Sequence, residues 1–241
     1  MERIEYERLA AVEDRMWWTR ALRRNLLAAA VRLAQAPGAH LLDAGCGTGG
    51  LLAALTRRCP NAASFGLDRD GFACRLACDK TGRPTVQASI DDLPFRDAAF
   101  DVIVSADVLC HRGVIVDRAL RDLRRCLKPG GALVVSLPAY QWLYSAHDRA
   151  VDNARRFRRG ELVRLLAGAG FAGIRATYWN TVLFPLMVAR RLLPGGGSEV
   201  GLLPAPVERL FDAVAVIEST TLRSGLRLPF GGSILALGTR P

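Results

Sequence analysis

Residues 41–50, LLDAGCGTGG, bring one carboxylate and four glycines together. Ordering glycine is entropically costly, so a cluster of it marks backbone that turns sharply or lies close to a ligand. Two spacings overlap in this stretch. Gly45, Gly47 and Gly50 satisfy G-x-G-x-x-G, which cradles a pyrophosphate at a helix N-terminus, with Asp68 placed further on to take a ribose hydroxyl. Asp43, Gly45, Gly47 and Gly49 satisfy D-x-G-x-G-x-G. A carboxylate just ahead of the turn repels a diphosphate and attracts a cation, which tips the balance toward a positively charged ligand with an amino-acid end. Proton transfer to or from a second substrate would fall to His111 or His147, since His40 opens a strand and reads as structural. His147, beside Asp148, is the preferred acid or base; a satisfied loop histidine is its structural alternative, as packing at a helix start is for His111.

Short strand-like runs alternate with helical ones and would position these groups. Strands are expected at 39–45, 63–68, 84–88, 100–106, 131–138, 172–179 and 231–239, with helices near 48–58, 70–80, 114–127 and 159–171. Such alternation predicts right-handed βαβ crossovers and a parallel sheet buried on both faces. Residues 2–35 read as an amphipathic helical region, and 181–225 as two or so helical segments broken by LLPGGGSEVGLLPAP. The resulting single domain divides into a helical cap (1–37), a ligand-binding core (38–180), a helical insertion acting as lid or oligomer contact (181–228) and a last strand (229–241). Within the insertion, 181–193 is expected to be a core-covering helix rather than a membrane-surface one, because Pro185 interrupts its pattern early.

At 241 residues, 50% apolar and 23% charged, the composition is globular. The net charge of +10 invites a nucleic-acid partner, but Lys80 and Lys128 are the only lysines and the arginines are spread along the chain. Nucleic-acid binding is therefore not favoured. The six cysteines show neither CxxC nor paired Cys/His spacing, so reduced thiols and no metal are expected. No run of about 18 apolar residues occurs, and the start MERIEYERLA lacks a secretory apolar stretch, so no membrane span and a cytoplasmic location are expected.

LLDAGCGTGG, GLDRD, DDLPF, FDVIVSADVLCH and LRRCLKPGGALVVSLP, in that order, resemble the successive motifs of the class I S-adenosylmethionine-dependent methyltransferases. The resemblance covers roughly residues 39–138 and implies a Rossmann-like α/β fold, with a seven-stranded, mostly parallel sheet whose last strand is antiparallel. It further implies S-adenosylmethionine as cofactor, with Asp43 toward the ammonium and Gly45, Cys46, Gly47 and Gly49 against the methionine part. Asp68 is then expected at the ribose, Ser89 and Ile90 at the adenine, and Arg69 and Ala106 among the other cofactor-binding residues. Family members often carry Asp at the position aligned with Ser89, so adenine is expected to rest more on packing and main chain. Residues 138–159 are similar to a bacterial subgroup through Asp148, Arg155, Arg156 and Phe157, although Asn153 stands where that subgroup has histidine.

Methyl transfer is chiefly a matter of positioning, worth roughly 7 to 11 kcal/mol when the reactants are well oriented. Trp17, Trp18, Tyr140 and Tyr144 suggest an apolar or aromatic small-molecule acceptor, and Arg155 or Arg156 recognition of a carboxylate. The expected activity is O-methylation, or N-methylation, of a small metabolite, in the setting of bacterial secondary metabolism and in a chain that could form a homodimer. An RNA methyltransferase, a non-catalytic cofactor-binding scaffold and a dehydrogenase stand as alternatives.

Overall fold

In a computed structural model, which describes residues 3–34, 36–192 and 201–241, seven strands form one sheet between two layers of helices. In chain order the elements are α1 (Arg3–Val12), α2 (Trp17–Leu33), β1 (His40–Ala44), α3 (Gly50–Arg58), β2 (Ala63–Asp68), α4 (Gly71–Thr81) and β3 (Thr85–Gln87). They continue as β4 (Phe100–Ala106), α5 (Val116–Cys126), β5 (Leu127–Pro138), α6 (Ala146–Ala150), α7 (Arg159–Gly168), β6 (Ala172–Trp179), α8 (Phe184–Leu192), α9 (Ala205–Arg223) and β7 (Ser233–Thr239). The sheet order is β3-β2-β1-β4-β5-β7-β6, with β7 antiparallel to both neighbours and every other pairing parallel. The strand order reverses between β1 and β4. Open α/β sheets bind ligands in the crevice at that point, beyond the carboxyl ends of the strands.

Hydrophobic spacing sets both layers. On α5, Val116, Ala119, Leu120, Leu123 and Cys126 recur at helical intervals and are buried against the sheet, with Leu162 and Leu166 of α7 in the same cluster. The opposite face is covered by Leu26 of α2 and by Leu51 and Leu55 of α3. β5 begins four residues before the expected strand, because Leu127 pairs with Phe100 across an irregularity in the β4 register. The N-terminal region is broken at 13–16, where the Thr19 hydroxyl donates to the Glu13 carbonyl at 2.5 Å and to the Met16 carbonyl at 2.9 Å.

The insertion between β6 and β7 corrects one expectation. Pro185 does not interrupt α8; it sits in the first turn, where a missing amide proton costs nothing. Nor does α8 cover the core, for none of residues 184–191 is fully buried. Helix α9 instead packs along α2: Asp212 pairs with Arg20 at 2.7 Å and Arg24 at 2.8 Å, and Glu208 accepts from the Trp17 amide at 2.7 Å. The expected break LLPGGGSEVGLLPAP lies largely outside the described residues.

Candidate cofactor and acceptor site

The turn after β1 folds across the end of β2, with the Gly45 and Cys46 amides donating to the Leu67 carbonyl at 2.7 and 2.8 Å. Asp68, the last residue of β2, then accepts from the Gly47 amide at 2.9 Å and from the Asp70 amide at 3.0 Å. Its neighbour Asp70 caps α4, accepting from Phe72 at 2.8 Å, so Asp68 is not the helix cap. Gly45 stands at a φ of +92°, and a Cβ there would lie 2.0 Å from the Val108 side chain. Only glycine lets the turn pass beneath the segment that follows β4.

Asp43 is buried near the end of β1, and among the described residues neither carboxylate oxygen has a hydrogen-bond partner of full geometry. Burial, reinforced by the charges of Asp68 and Glu13 and opposed by the Leu52 amide and Arg23, pushes its carboxyl up to about 8. A buried acid left without donors costs stability until a cation or donor arrives. Burial also raises Asp68, against the two amides that favour its ionised form.

Around these groups opens a cavity of about 520 Å³. Its wall carries Asp43, Gly45, Cys46, Gly47, Asp68, Arg69, Ser89, Ile90 and Ala106, all anticipated from sequence. The Ser89 hydroxyl donates to the Asp91 carboxylate, which leaves its oxygen with acceptor capacity only. Gly49 is the exception. At a φ of +85°, with its would-be Cβ 2.7 Å from the Ala77 backbone, it lets α3 pack on α4 and stands off the cavity wall.

The same wall carries Trp17, Trp18, His111, His147 and Arg156. Three expected acceptor contacts are not brought to it. Tyr140 stacks on Tyr178 with ring centroids 5.2 Å apart, the Tyr144 hydroxyl donates to the Asn153 carbonyl at 2.9 Å, and the Arg155 amide donates to the Cys110 carbonyl. Arg156 is buried and spends its guanidinium on Asp148 and the Ala139 carbonyl, each at 3.0 Å, rather than standing in solvent. Asp148 is therefore not reserved for His147. Its fully buried carboxylate is held by Arg156 and Arg191, both at 3.0 Å, by the Ser145 amide at 2.9 Å and by Asn153 at 3.2 Å. Burial works to raise it, but these partners hold it below the usual carboxylate range.

Sequence reading missed two features of the cavity wall. The first is Asp107, directly after β4, which holds a φ of +55°, donates its amide to the Ser136 carbonyl at 2.8 Å and leaves a buried carboxylate oxygen without a partner. Burial pushes its carboxyl up to about 7, with Arg156 opposing and Asp148 assisting. Asp152 and Asn180, at φ +61° and +59°, share both the wall and the left-handed backbone, and such conformations gather at functional sites. His111 is a weaker base, because burial lowers it more than the Asp152 carbonyl and nearby carboxylates raise it. The second is Glu13, which pairs with Arg23 and Lys80, each at 2.6 Å, and so ties the N-terminal helices over the glycine turn. Glu13 gives no local signal, since it lies in the break between two helices.

A methyltransferase-domain family model matches residues 42–135. The chain is 33% identical over 192 residues to the malonyl-[acyl-carrier protein] O-methyltransferase of Herminiimonas arsenicoxydans, covering 73% of this chain and 72% of that one. It is 28% identical over 174 residues to an uncharacterized protein of Methanocaldococcus jannaschii, covering 68% of this chain but only 64% of that relative. Among solved structures, an S-adenosylmethionine-dependent methyltransferase from Thermotoga maritima shares the fold with a TM-score of 0.59 at 20% identity, covering 98% of this chain and 95% of its own. The residues fit that cofactor: an orphaned buried carboxylate for an ammonium, a second carboxylate at a strand end for a diol, and bare backbone between them.

Proposed function

This chain belongs to the class I S-adenosylmethionine-dependent methyltransferase family, and on that premise we propose that it methylates an oxygen, or alternatively a nitrogen, of a small apolar or aromatic acceptor. The observation that carries the reading is Asp43, a wholly buried acid beside the glycine turn whose carboxylate oxygens have no hydrogen-bond partner of full geometry among the described residues. When bound, the cofactor supplies an electrophilic methyl on a sulfonium, whose bond breaks with its electron pair staying on sulfur. The chain's part is to hold and orient. Asp43 meets the ammonium, Asp68 the ribose diol, and the Ser89 oxygen with the Ile90 backbone the adenine. The N-terminal helices exclude water above the turn.

At the acceptor end Trp17 and Trp18 offer flat apolar surface, and Asp107 takes the proton that the nucleophile loses as the new bond forms. Asp107 suits this step because it is buried beside Arg156 and Asp148 with one carboxylate oxygen unpartnered among the described residues. His147 and His111 line the same cavity and are the competing bases. The similarity to an O-methyltransferase supports oxygen as the acceptor atom. A metabolite substrate and a cytoplasmic setting complete the proposal.

Calorimetric titration with S-adenosylmethionine and with NAD tests the cofactor assignment. Methyl release from labelled S-adenosylmethionine, over phenols, carboxylic acids, amines and tRNA, tests the acceptor. Tight binding of the first ligand and turnover on a small molecule are expected. Preference for NAD, or methylation of tRNA alone, would overturn the reading.

A further inference from the structure

Helix α8 turns two different faces outward and inward. Arg191 anchors it, donating to the Leu143 carbonyl and the Asp148 carboxylate at 3.0 Å each. Away from that anchor, Val182 is 62% exposed and Leu186 53%. Beside them Trp142, 54% exposed, and Phe230, 44% exposed, each pack on the ring of Phe184 at centroid distances of 6.3 and 5.8 Å. Trp142, Phe184 and Phe230 form one aromatic cluster, and Val182 and Leu186 add exposed apolar surface on the segment that carries Phe184. Exposed apolar surface of this extent is uncommon on a soluble chain unless something covers it.

Arginines border it. Arg158, Arg190 and Arg227 are exposed: Arg158 and Arg227 each precede a residue that meets Tyr178, whose ring stacks on Tyr140 beside Trp142, and Arg190 lies one turn along α8 from Leu186. The acids of the surrounding elements are engaged within the fold, and Glu161 accepts from the Arg158 amide. Asp148 is locked between Arg156 and Arg191, Glu208 accepts from the Trp17 and Leu203 amides, and Glu218 accepts from the Asn180, Thr181 and Val182 amides. An apolar patch with an outer ring of arginines matches the two layers of an anionic membrane surface, headgroup phosphates outside and acyl chains within. A second copy of the chain would instead bring arginines against arginines.

We propose that this face docks on the surface of an anionic lipid bilayer. No helix among the described residues is long and apolar enough to cross a membrane, so the docking is peripheral. Leu186 and Arg190 also line the cavity, whose mouth therefore opens within the docked face. On the methyl-transfer reading, on which this consequence rests, the acceptor enters from the membrane as an amphiphile.

The test is flotation of the full chain with vesicles of phosphatidylcholine alone and of equimolar phosphatidylcholine and phosphatidylglycerol. Recovery with the anionic vesicles should exceed recovery with the neutral ones at least tenfold and fall as salt rises. Val182→Asp combined with Trp142→Ser should abolish it, as should Arg158→Glu combined with Arg227→Glu. Calorimetric binding of S-adenosylmethionine by each variant reports that the fold is intact. Equal recovery on both vesicles, or none, overturns the proposal. So does a dimer in sedimentation that the same apolar substitutions dissociate. Because vesicle binding needs no turnover, its failure leaves the methyl-transfer reading standing, and a chain that docks without binding the cofactor would fail that reading alone.

Discussion

The Asp68 carboxylate and the Gly47 amide lie 2.9 Å apart, so the side chain that closes β2 also holds the turn that follows β1. A ligand lying across both strands meets a preformed surface. Removing the carboxylate takes away a contact to the ligand and a tether of the turn together. Asp68→Ala should weaken S-adenosylmethionine by about 1.5 to 3 kcal/mol, the worth of a hydrogen bond to a charged group. Isothermal titration measures it, and unchanged affinity removes Asp68 from the site.

Asp43 makes cofactor binding depend on pH. With its carboxyl pushed up to about 8 in the ligand-free chain, it is protonated at neutral pH, and an arriving ammonium requires the ionised form. Binding should release a proton below pH 8, and affinity should rise about tenfold per pH unit up to that value before levelling. Titrations in buffers of different ionisation enthalpy count the proton. Asp43→Asn should abolish the release along with most of the affinity.

The same burial has a cost that shows without any ligand. Asp43 and Asp107 hold protons in the folded chain, at about 8 and about 7, that the unfolded chain loses near pH 4. The folded state binds more protons through that window, so stability must fall as pH rises from about 4 to about 8 and level above it. At pH 8, Asp43→Asn should raise the stability of the ligand-free chain by about 1 to 3 kcal/mol, the scale of an unsatisfied buried group. Urea unfolding of both proteins at pH 5 and pH 8 checks it: the gain should be clearly larger at the higher pH.

Much of the site was legible because it depends on short-range backbone chemistry. Asp43, Gly45, Gly47 and Asp68 sit where strands end and a turn begins, and their spacing alone places them on one edge of a parallel sheet. The acceptor end is another matter. His147 and Asp148 are adjacent in sequence but lie in α6, where consecutive side chains diverge by about 100°. One therefore faces the cavity while the other turns into the arginines behind it. Asp107 was illegible for a related reason: its left-handed backbone and its burial come from packing between the segment after β4 and the 139–157 stretch, which no local pattern encodes. Pro185 misled because its effect depends on register, harmless in a first turn and disruptive one turn later.

Asp107 separates the mechanism from its competitors. A carboxylate that collects the nucleophile's proton contributes about 10² to 10⁴ in rate, and Asp107→Asn keeps the shape while removing the basicity. Turnover on the acceptor found by the methyl-release screen should fall by that factor, with cofactor affinity essentially unchanged. The wild-type rate should climb with pH to a plateau set by a group near 7, since only the ionised carboxylate accepts a proton, and that limb should vanish in the variant. His147→Gln and His111→Gln should retain it. If either histidine variant flattens the profile while Asp107→Asn leaves it in place, the proton goes to the imidazole, and the orphaned oxygen after β4 serves only to hold the acceptor.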